Sequence, residues 1–231
     1  VLAWLAQEDD KLRIWAEGGD VYVESAMVLA GALKRRDVTP ANVRTTTVMM
    51  EGTQQSFRQA GKKLDLALGY GMGAVKMARL YGMPLVASRA IRAAWHERWA
   101  RISAYQTRTV DDAERDRVLV NPFGRRLAFH LEWDKTLGRM RLMDREKALA
   151  FPAQSSVGCM IQAVLPEADA VPDARLIATV HDSLLWEVEE GALASTIPLI
   201  KRIMERAWVQ MGRRAEFGEF KVPIKVSVGR N

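Results

Sequence analysis

A single cysteine in 231 residues is the first scarcity in this chain. Cys159 alone excludes an internal disulfide framework and fits a reducing cytoplasm. It lies in the apolar stretch Val157-Gly-Cys-Met-Ile161, which favours buried packing over reactivity. No uninterrupted apolar run reaches the ~18 residues of a membrane span, and no signal-peptide pattern is present. Repeats and low-complexity tracts are also missing. Only 3 histidines occur, and no His/Cys cluster has zinc spacing. His96 and His130 read as surface or packing residues. A Walker-type glycine loop and a Ser-His-Asp arrangement are equally absent.

What is present is enough apolar material for a core. The 48% hydrophobic content would support one large domain or two small ones. A net charge of +6 and a pI near 9.6 suit a polyanionic partner. The first residue is Val rather than Met, which suggests a piece of a longer chain.

Leu2, Leu5, Leu12 and Trp15 predict a helix within residues 1–16, ended by Gly18-Gly19. Residues 21–33 predict a second apolar helix before the basic turn Lys34-Arg35-Arg36. Thr39-Pro40 marks a break, and Thr53 reads as the N-cap of a helix through Arg58. A further helix is expected from Ala74 to Gly82. Residues 86–117 read as one long Arg-studded helix, with Trp95 and Trp99 a turn apart. Val118–Val120 enters the turn Asn121–Arg126, and residues 127–143 read as a β-ribbon. A helix should then run from Arg145 to Leu165 and break before Pro166. Val171–Asp173 is a loop, and Leu176–Val180 with Leu184–Val188 reads as a hairpin. A helix over Ala192–Gly212 and a strand over Val222–Val228, with Pro223 near its start, complete the pattern. Helices early and strands late fit an α+β fold.

Within this pattern, Arg58, Lys62, Leu66 and Tyr70 recur at four-residue intervals before Gly71 and Gly73. Four residues advance a helix by about 400°, so these side chains share one slowly drifting stripe. Two cations at one end suit a polyphosphate; an apolar residue and a tyrosine at the other suit a sugar and a base. The glycines stop the helix and permit close backbone approach. An ordinary amphipathic surface helix has the same spacing. At the later hairpin, Asp182 sits where the chain reverses. It is either a turn-making residue or a rigidly held carboxylate suited to magnesium.

The Arg58–Gly73 stretch resembles the fingers-helix motif of family A DNA polymerases, the bacterial DNA polymerase I family and its phage relatives. Three more segments match in the family's order. Val1-Leu-Ala-Trp-Leu-Ala6 through Gly19-Asp20-Val-Tyr22 is similar to the segment immediately after the family's first catalytic motif. Phe151-Pro-Ala-Gln154-Ser-Ser resembles its palm glutamine segment, and Val180-His181-Asp182-Ser183 its last catalytic motif. The resemblance implies an incomplete right-hand polymerase. Residues 1–16 would be a palm-proximal helix, 17–148 the helical fingers, and 149–231 the C-terminal part of an antiparallel-sheet palm. The implied reaction is nucleotidyl transfer from a dNTP to a primer 3′ end. The implied partners are dNTPs, primer-template DNA and the remainder of the same polymerase, with no membrane, in a bacterial or phage-infected cell.

Residue by residue, the resemblance makes Arg58 and Lys62 triphosphate ligands, with Lys62 also protonating pyrophosphate. Leu66 would face the sugar, and Tyr70 would stack at the template position. Gln154 would touch the minor-groove side of the primer-template, and His181 the primer end. Arg125 and Arg126 fit phosphate contacts and structural contacts equally. Asp182 would ligate Mg2+ in a two-ion site. The family's partner Asp, with a nearby Glu, lies in the strand immediately before Val1, so the expectation is a half-site that does not polymerise alone. Two departures stand out: Leu66 replaces an aromatic, a change associated with phage and viral relatives, and Ser183 replaces a Glu. His-Asp-Ser also occurs in single-subunit phage-type RNA polymerases. However, the short interval from Tyr70 to Asp182 leaves little room for their promoter-recognition insertion. A nucleic-acid-binding module without catalysis is the reading from a different class.

Overall fold

The computed structural model describes residues 1–206, 222 and 224–229. Its fold is α+β, with helices and four separate two-stranded sheets among the described residues. The chain divides into two compact units, Leu2–Leu119 with Ala128–Ala150, and Val1 with Val120–Leu127 and the residues from Phe151 onward.

The first unit opens with α1 (Leu2–Leu5), α2 (Asp9–Ala16) and α3 (Val21–Ala32). The single helix expected over residues 1–16 is interrupted at Gln7, whose φ of +52° lies in the left-handed region. Asp20 caps α3 by accepting the Tyr22 N–H at 3.1 Å. An unforeseen hairpin follows, β1 (Thr47–Met50) with β2 (Thr53–Ser56), paired Thr47 to Ser56. Thr53 therefore belongs to a strand, and the N-cap of α4 (Phe57–Gly69) is Ser56, whose Oγ accepts from Gln59 N at 3.2 Å. Phe57, Ala60, Leu64 and Leu68 are each no more than 1% exposed, the 3–4 residue spacing that buries one face of α4. Each of the larger three contributes about 1.5–3 kcal/mol of burial.

Helix α4 ends in a paired C-terminal motif. Gly71 N donates to Leu68 O and Met72 N to Ala67 O, both at 2.9 Å, with Gly71 at φ +83°. Against its other side, α3 approaches closely at Gly61. A Cβ there would lie 2.6 Å from Ala26 N and 2.8 Å from Tyr22 O. The core continues through α5 (Ala74–Tyr81), α6 (Leu85–Arg98) and α7 (Ala100–Asp116), with Met77, Ile91, Trp95, Trp99 and Ile102 buried. The long helix expected over residues 86–117 is thus two helices broken at Trp99, whose φ of −116° and ψ of 60° are not helical. The cause lies far away in sequence: Glu8 Oε2 accepts the N–H groups of Arg101 (3.0 Å) and Ile102 (3.3 Å) and so caps α7.

The chain passes between the units within the hairpin of β3 (Val118–Val120) and β4 (Arg126–Ala128), and again within α8 (Arg145–Asp169). The expected ribbon is present as β5 (Leu131–Asp134) paired with β6 (Arg139–Leu142). Helix α8 does not break before Pro166; both Pro152 and Pro166 lie inside it. Each proline removes a backbone donor and leaves the carbonyl four residues before it, at Ala148 or Gln162, without its helical partner. Ser156 Oγ donates to Pro152 O at 2.6 Å, and Arg206 donates to Ala163 O at 3.1 Å. By length and composition α8 is long and apolar enough to cross a bilayer, although its apolar run is interrupted by polar residues. Met160, Val164 and Ala168 on it are buried in the second unit.

In the second unit, β7 (Ala174–Val180) pairs antiparallel with β8 (Ser183–Val188), as the hairpin expectation had it. Trp186 Nε1 donates to Ala168 O at 3.1 Å and ties β8 to α8. Helix α9 (Leu193–Met204) comes after a 3-10 turn at Glu190–Ala192. Helix α9 ends at Met204 with Glu205 as its C-cap, short of the helix expected over Ala192–Gly212; residues 207–212 and Pro223 lie outside the described residues. Residues 222 and 224–229 carry no strand assignment, contrary to the strand expected over Val222–Val228.

Candidate functional site

Burying one face of α4 fixes the direction of the other. Arg58, Lys62, Leu66 and Tyr70 are carried on its outward stripe, with Lys62 and Leu66 exposed and Arg58 and Tyr70 half-buried. The first two meet over one ring: the Arg58 guanidinium carbon lies 5.7 Å, and Lys62 Nζ 5.8 Å, from the Tyr22 centroid. Arg58 Nε donates to Asp20 Oδ2 at 2.5 Å, and Arg44 Nη2 reaches the same oxygen at 2.8 Å. Two arginines therefore share one carboxylate, and Lys62 adds a third cation over the Tyr22 ring, which leaves a surplus of positive charge.

The surrounding groups set the protonation states. Burial pushes the Asp20 carboxyl up. The Arg58 hydrogen bond, the Tyr22 N–H and the charges of Arg58 and Arg44 outweigh it and hold Asp20 below the usual carboxylate range. Burial, and then the Asp65 charge, raise the Tyr22 phenol, which stays an O–H donor at neutral pH. Cations beside a neutral phenol donor suit a polyanionic ligand.

Asp65 faces the other way, into the core. Its Oδ1 accepts Lys11 Nζ at 2.6 Å, Ser25 Oγ at 2.8 Å and Trp95 Nε1 at 3.1 Å, while Oδ2 takes a second Lys11 contact at 2.8 Å. Lys11 Nζ also sits 4.8 Å from the Trp99 centroid. Burial pulls the Lys11 ammonium below its ordinary pKa against the opposing pull of Asp65. Helices α2, α3 and α6 thus converge on a point directly beneath the outward stripe. Sequence reading missed this network, and missed Asp20 and Tyr22 as partners of Arg58. One signal was available: Asp65 falls on the apolar face between Gly61 and Leu68, where a charge demands a partner.

In the second unit, the register Val180 to Ser183 makes His181-Asp182 a two-residue loop. His181 has φ +56°, a left-handed conformation uncommon outside glycine, costing on the order of 1 kcal/mol and held by the strands on either side. Asp182 is exposed, with Ser183 Oγ 3.5 Å from its Oδ1. No group of three or more His, Cys, Asp or Glu able to hold a metal ion occurs among the described residues. Asp182 therefore offers one hard oxygen ligand and does not complete a magnesium centre.

Gln154 is exposed on α8. The turn before β4 is organised by Asn121, whose Oδ1 accepts the N–H groups of Phe123 (3.0 Å) and Arg125 (2.9 Å). Arg125 Nη2 donates to Gln162 Oε1 at 3.0 Å, whereas Arg126 opens β4 as an exposed side chain. Arg58, Lys62, Leu66 and Tyr70 belong to one unit, and Arg125, Arg126, Gln154, His181 and Asp182 to the other.

A family model described as DNA polymerase family A matches residues 1–231. The thermostable DNA polymerase I of Thermus thermophilus is 22% identical over 99% of this chain and 25% of its own length. DNA polymerase I of Pseudomonas aeruginosa is 26% identical over 90% of this chain and 21% of its own length, and that of Synechocystis sp. 25% over the same shares. The chain thus spans about a quarter of the length of the curated relatives it matches. Among solved structures, the POL domain of Pol1 from M. smegmatis in complex with DNA primer-template and dNTP superposes with a TM-score of 0.71. It is 21% identical, over 88% of this chain and 34% of that one.

Proposed function

The chain belongs to DNA polymerase family A, and from that premise we propose that it serves template-directed DNA synthesis, the transfer of a nucleotidyl unit from a dNTP to a primer 3′ end. Residues 17–148 act as fingers and 149–231 as the C-terminal part of the palm, with residues 1–16 a palm-proximal segment. One observation carries the reading: Arg58 and Lys62 lie together over Tyr22 on the outward stripe of α4, with positive charge in excess of Asp20.

Arg58 and Lys62 bind the triphosphate through charge-assisted hydrogen bonds. Asp20 engages the Arg58 Nε, one of five guanidinium donors, and orients the rest. Lys62, exposed and without an ion pair among the described residues, neutralises the phosphates and gives a proton to the leaving pyrophosphate. One turn on, Leu66 faces the sugar, and Tyr70, at the helix C-cap, stacks at the template position. Gln154 and His181 contact the primer-template, and Arg125 and Arg126 support it or its phosphates. Asp182 contributes one carboxylate to magnesium, which when bound neutralises charge developing on the phosphoryl oxygens. The solved neighbour with primer-template and dNTP supports these partners, and the longer relatives support a larger polymerase around this chain.

Lys62→Ala tests the reading in the polymerase that carries this chain. Losing one charge-assisted contact should lower kcat/KM for dNTP by about ten- to a hundredfold while changing the DNA Kd only a few-fold. Unchanged nucleotide use, or equal losses in both quantities, would refute it.

A further inference from the structure

Arg44 is no part of helix α4, yet the backbone fixes it beside Arg58. Val43, the residue before it, is 0% exposed, and its carbonyl accepts the Arg58 N–H at 2.9 Å. Two residues after Arg44, the Thr46 carbonyl accepts the Phe57 N–H at 3.0 Å. The loop is thus tied on both sides of Arg44 to the first turn of α4. Ser56 Oγ takes the Gln59 N–H, so the donors of Phe57, Arg58 and Gln59 are all occupied. An anion arriving at this end of α4 meets side chains rather than an open helix terminus.

Two guanidinium groups meet there on a single atom. Asp20 Oδ2 accepts Arg44 Nη2 at 2.8 Å and Arg58 Nε at 2.5 Å. Held on one oxygen, the like charges repel at close range, and one carboxylate neutralises only one of them. The Arg44 side chain is 61% exposed against 32% for Arg58, so Arg44 keeps guanidinium donors open to solvent. From Tyr70 the stripe runs back through Leu66 and Lys62 to Arg58, and Arg44 adjoins that last end.

We propose that Arg44 is a nucleotide-binding residue that engages the terminal phosphate and sets the preference for a triphosphate over a diphosphate; this rests on the α4 stripe being the nucleotide site. With the base toward Tyr70 and the sugar toward Leu66, the phosphate furthest from the sugar comes to the Arg58 end, where Arg44 is the next cation. Asp20 positions both arginines there. A terminal phosphate takes the free donors of the two guanidinium groups and offsets their repulsion. A diphosphate held by the same sugar contacts ends one phosphate short, and it reaches Lys62 and Arg58 without Arg44.

Single-turnover incorporation by the polymerase that carries this chain gives the dNTP Kd, and competition in the same assay gives inhibition constants for dNDP and dNMP. Arg44→Gln removes the charge from an exposed side chain. The dNTP Kd should rise about tenfold while the dNDP and dNMP constants stay within about twofold, so the triphosphate preference narrows. Arg44→Lys keeps the charge without the planar fork and should recover part of that loss. A role confined to steadying Arg58 through Asp20 would weaken all three ligands alike, and that result overturns the proposal, as does an unchanged dNTP Kd. Lys62→Ala in the same assay tells the two levels apart. If it impairs nucleotide use while Arg44→Gln changes nothing, the assignment of Arg44 alone falls; if neither variant has an effect, the stripe is not the nucleotide site.

Discussion

Asp65→Ala removes one acceptor from three donors at once: the Lys11 ammonium, the Ser25 hydroxyl and the Trp95 indole. The Lys11 and Asp65 side chains are 10% and 8% exposed, so water cannot replace the lost carboxylate without opening the core. Breaking a buried ion pair costs about 3–5 kcal/mol, chiefly because an uncompensated charge remains. The stranded Ser25 and Trp95 donors add to that, although the terms are not additive. The Trp99 ring 4.8 Å from Lys11 Nζ is present with or without Asp65, so it offsets none of this loss. A net loss of about 4 kcal/mol is therefore expected, a large share of the 5–15 kcal/mol that holds a typical domain. Asp65→Asn should fall between, since its carbonyl still accepts from Ser25 or Trp95. Lys11→Met with Asp65→Leu should cost much less than the two single changes summed, because no charge is left buried. Urea unfolding followed by fluorescence of the buried tryptophans measures the wild type, Asp65→Ala, Asp65→Asn, Lys11→Met, Asp65→Leu and the double variant. A cost below about 1 kcal/mol for Asp65→Ala, or a double variant as costly as the sum, would refute the network as described.

In the polymerase carrying this chain, Asp182→Asn should abolish incorporation yet leave primer-template affinity nearly intact, since DNA affinity rests on Lys and Arg contacts to phosphate; near-normal turnover removes the metal role. Leu66→Tyr should change the ratio of dideoxy to ordinary incorporation, read as competing kcat/KM values, because an aromatic ring adds a flat face where Leu66 is exposed; an unaltered ratio places residue 66 away from the sugar. Stability should fall on acidification in two stages. His96, depressed to about 4 from 6.5, lets the unfolded chain bind a proton that the folded chain refuses, so stability drops as pH falls from 6.5 toward 4. The depressed Asp20 carboxyl contributes stability that is lost only as pH falls further, through its folded value. His96→Phe should flatten the first stage alone, and an unchanged pH profile in that variant would contradict the assignment.

Local rules made the outward stripe of α4 and the β7/β8 hairpin legible. A four-residue repeat and a pair of β-rich runs need only neighbouring residues to be read. What escaped was decided at long range. Ser56 rather than Thr53 caps α4 because Thr53 is already paired with Met50 in β2, and Thr-Gln-Gln-Ser has no alternation to announce a strand. No glycine or proline marks the break at Trp99; it is fixed by Glu8, 93 positions away from Arg101. Pro166 reads as a stop, yet α8 runs on through it to Asp169, so the loss of one backbone donor did not end the helix. At the candidate site the cations were visible, but their setting was not: Asp20 and Arg58 are 38 positions apart, and only folding brings Tyr22 beneath both cations.

The close approach at Gly61 also limits how the first unit can move. With Ala26 N and Tyr22 O lying where a side chain would stand, α3 and α4 have no cushion of rotamers between them and cannot slide independently. Any swing of α4 carries α3 along, and with it Tyr22 and Asp20. The cations and their aromatic floor travel as one rigid piece, and whatever hinge serves that piece lies outside residues 20–69.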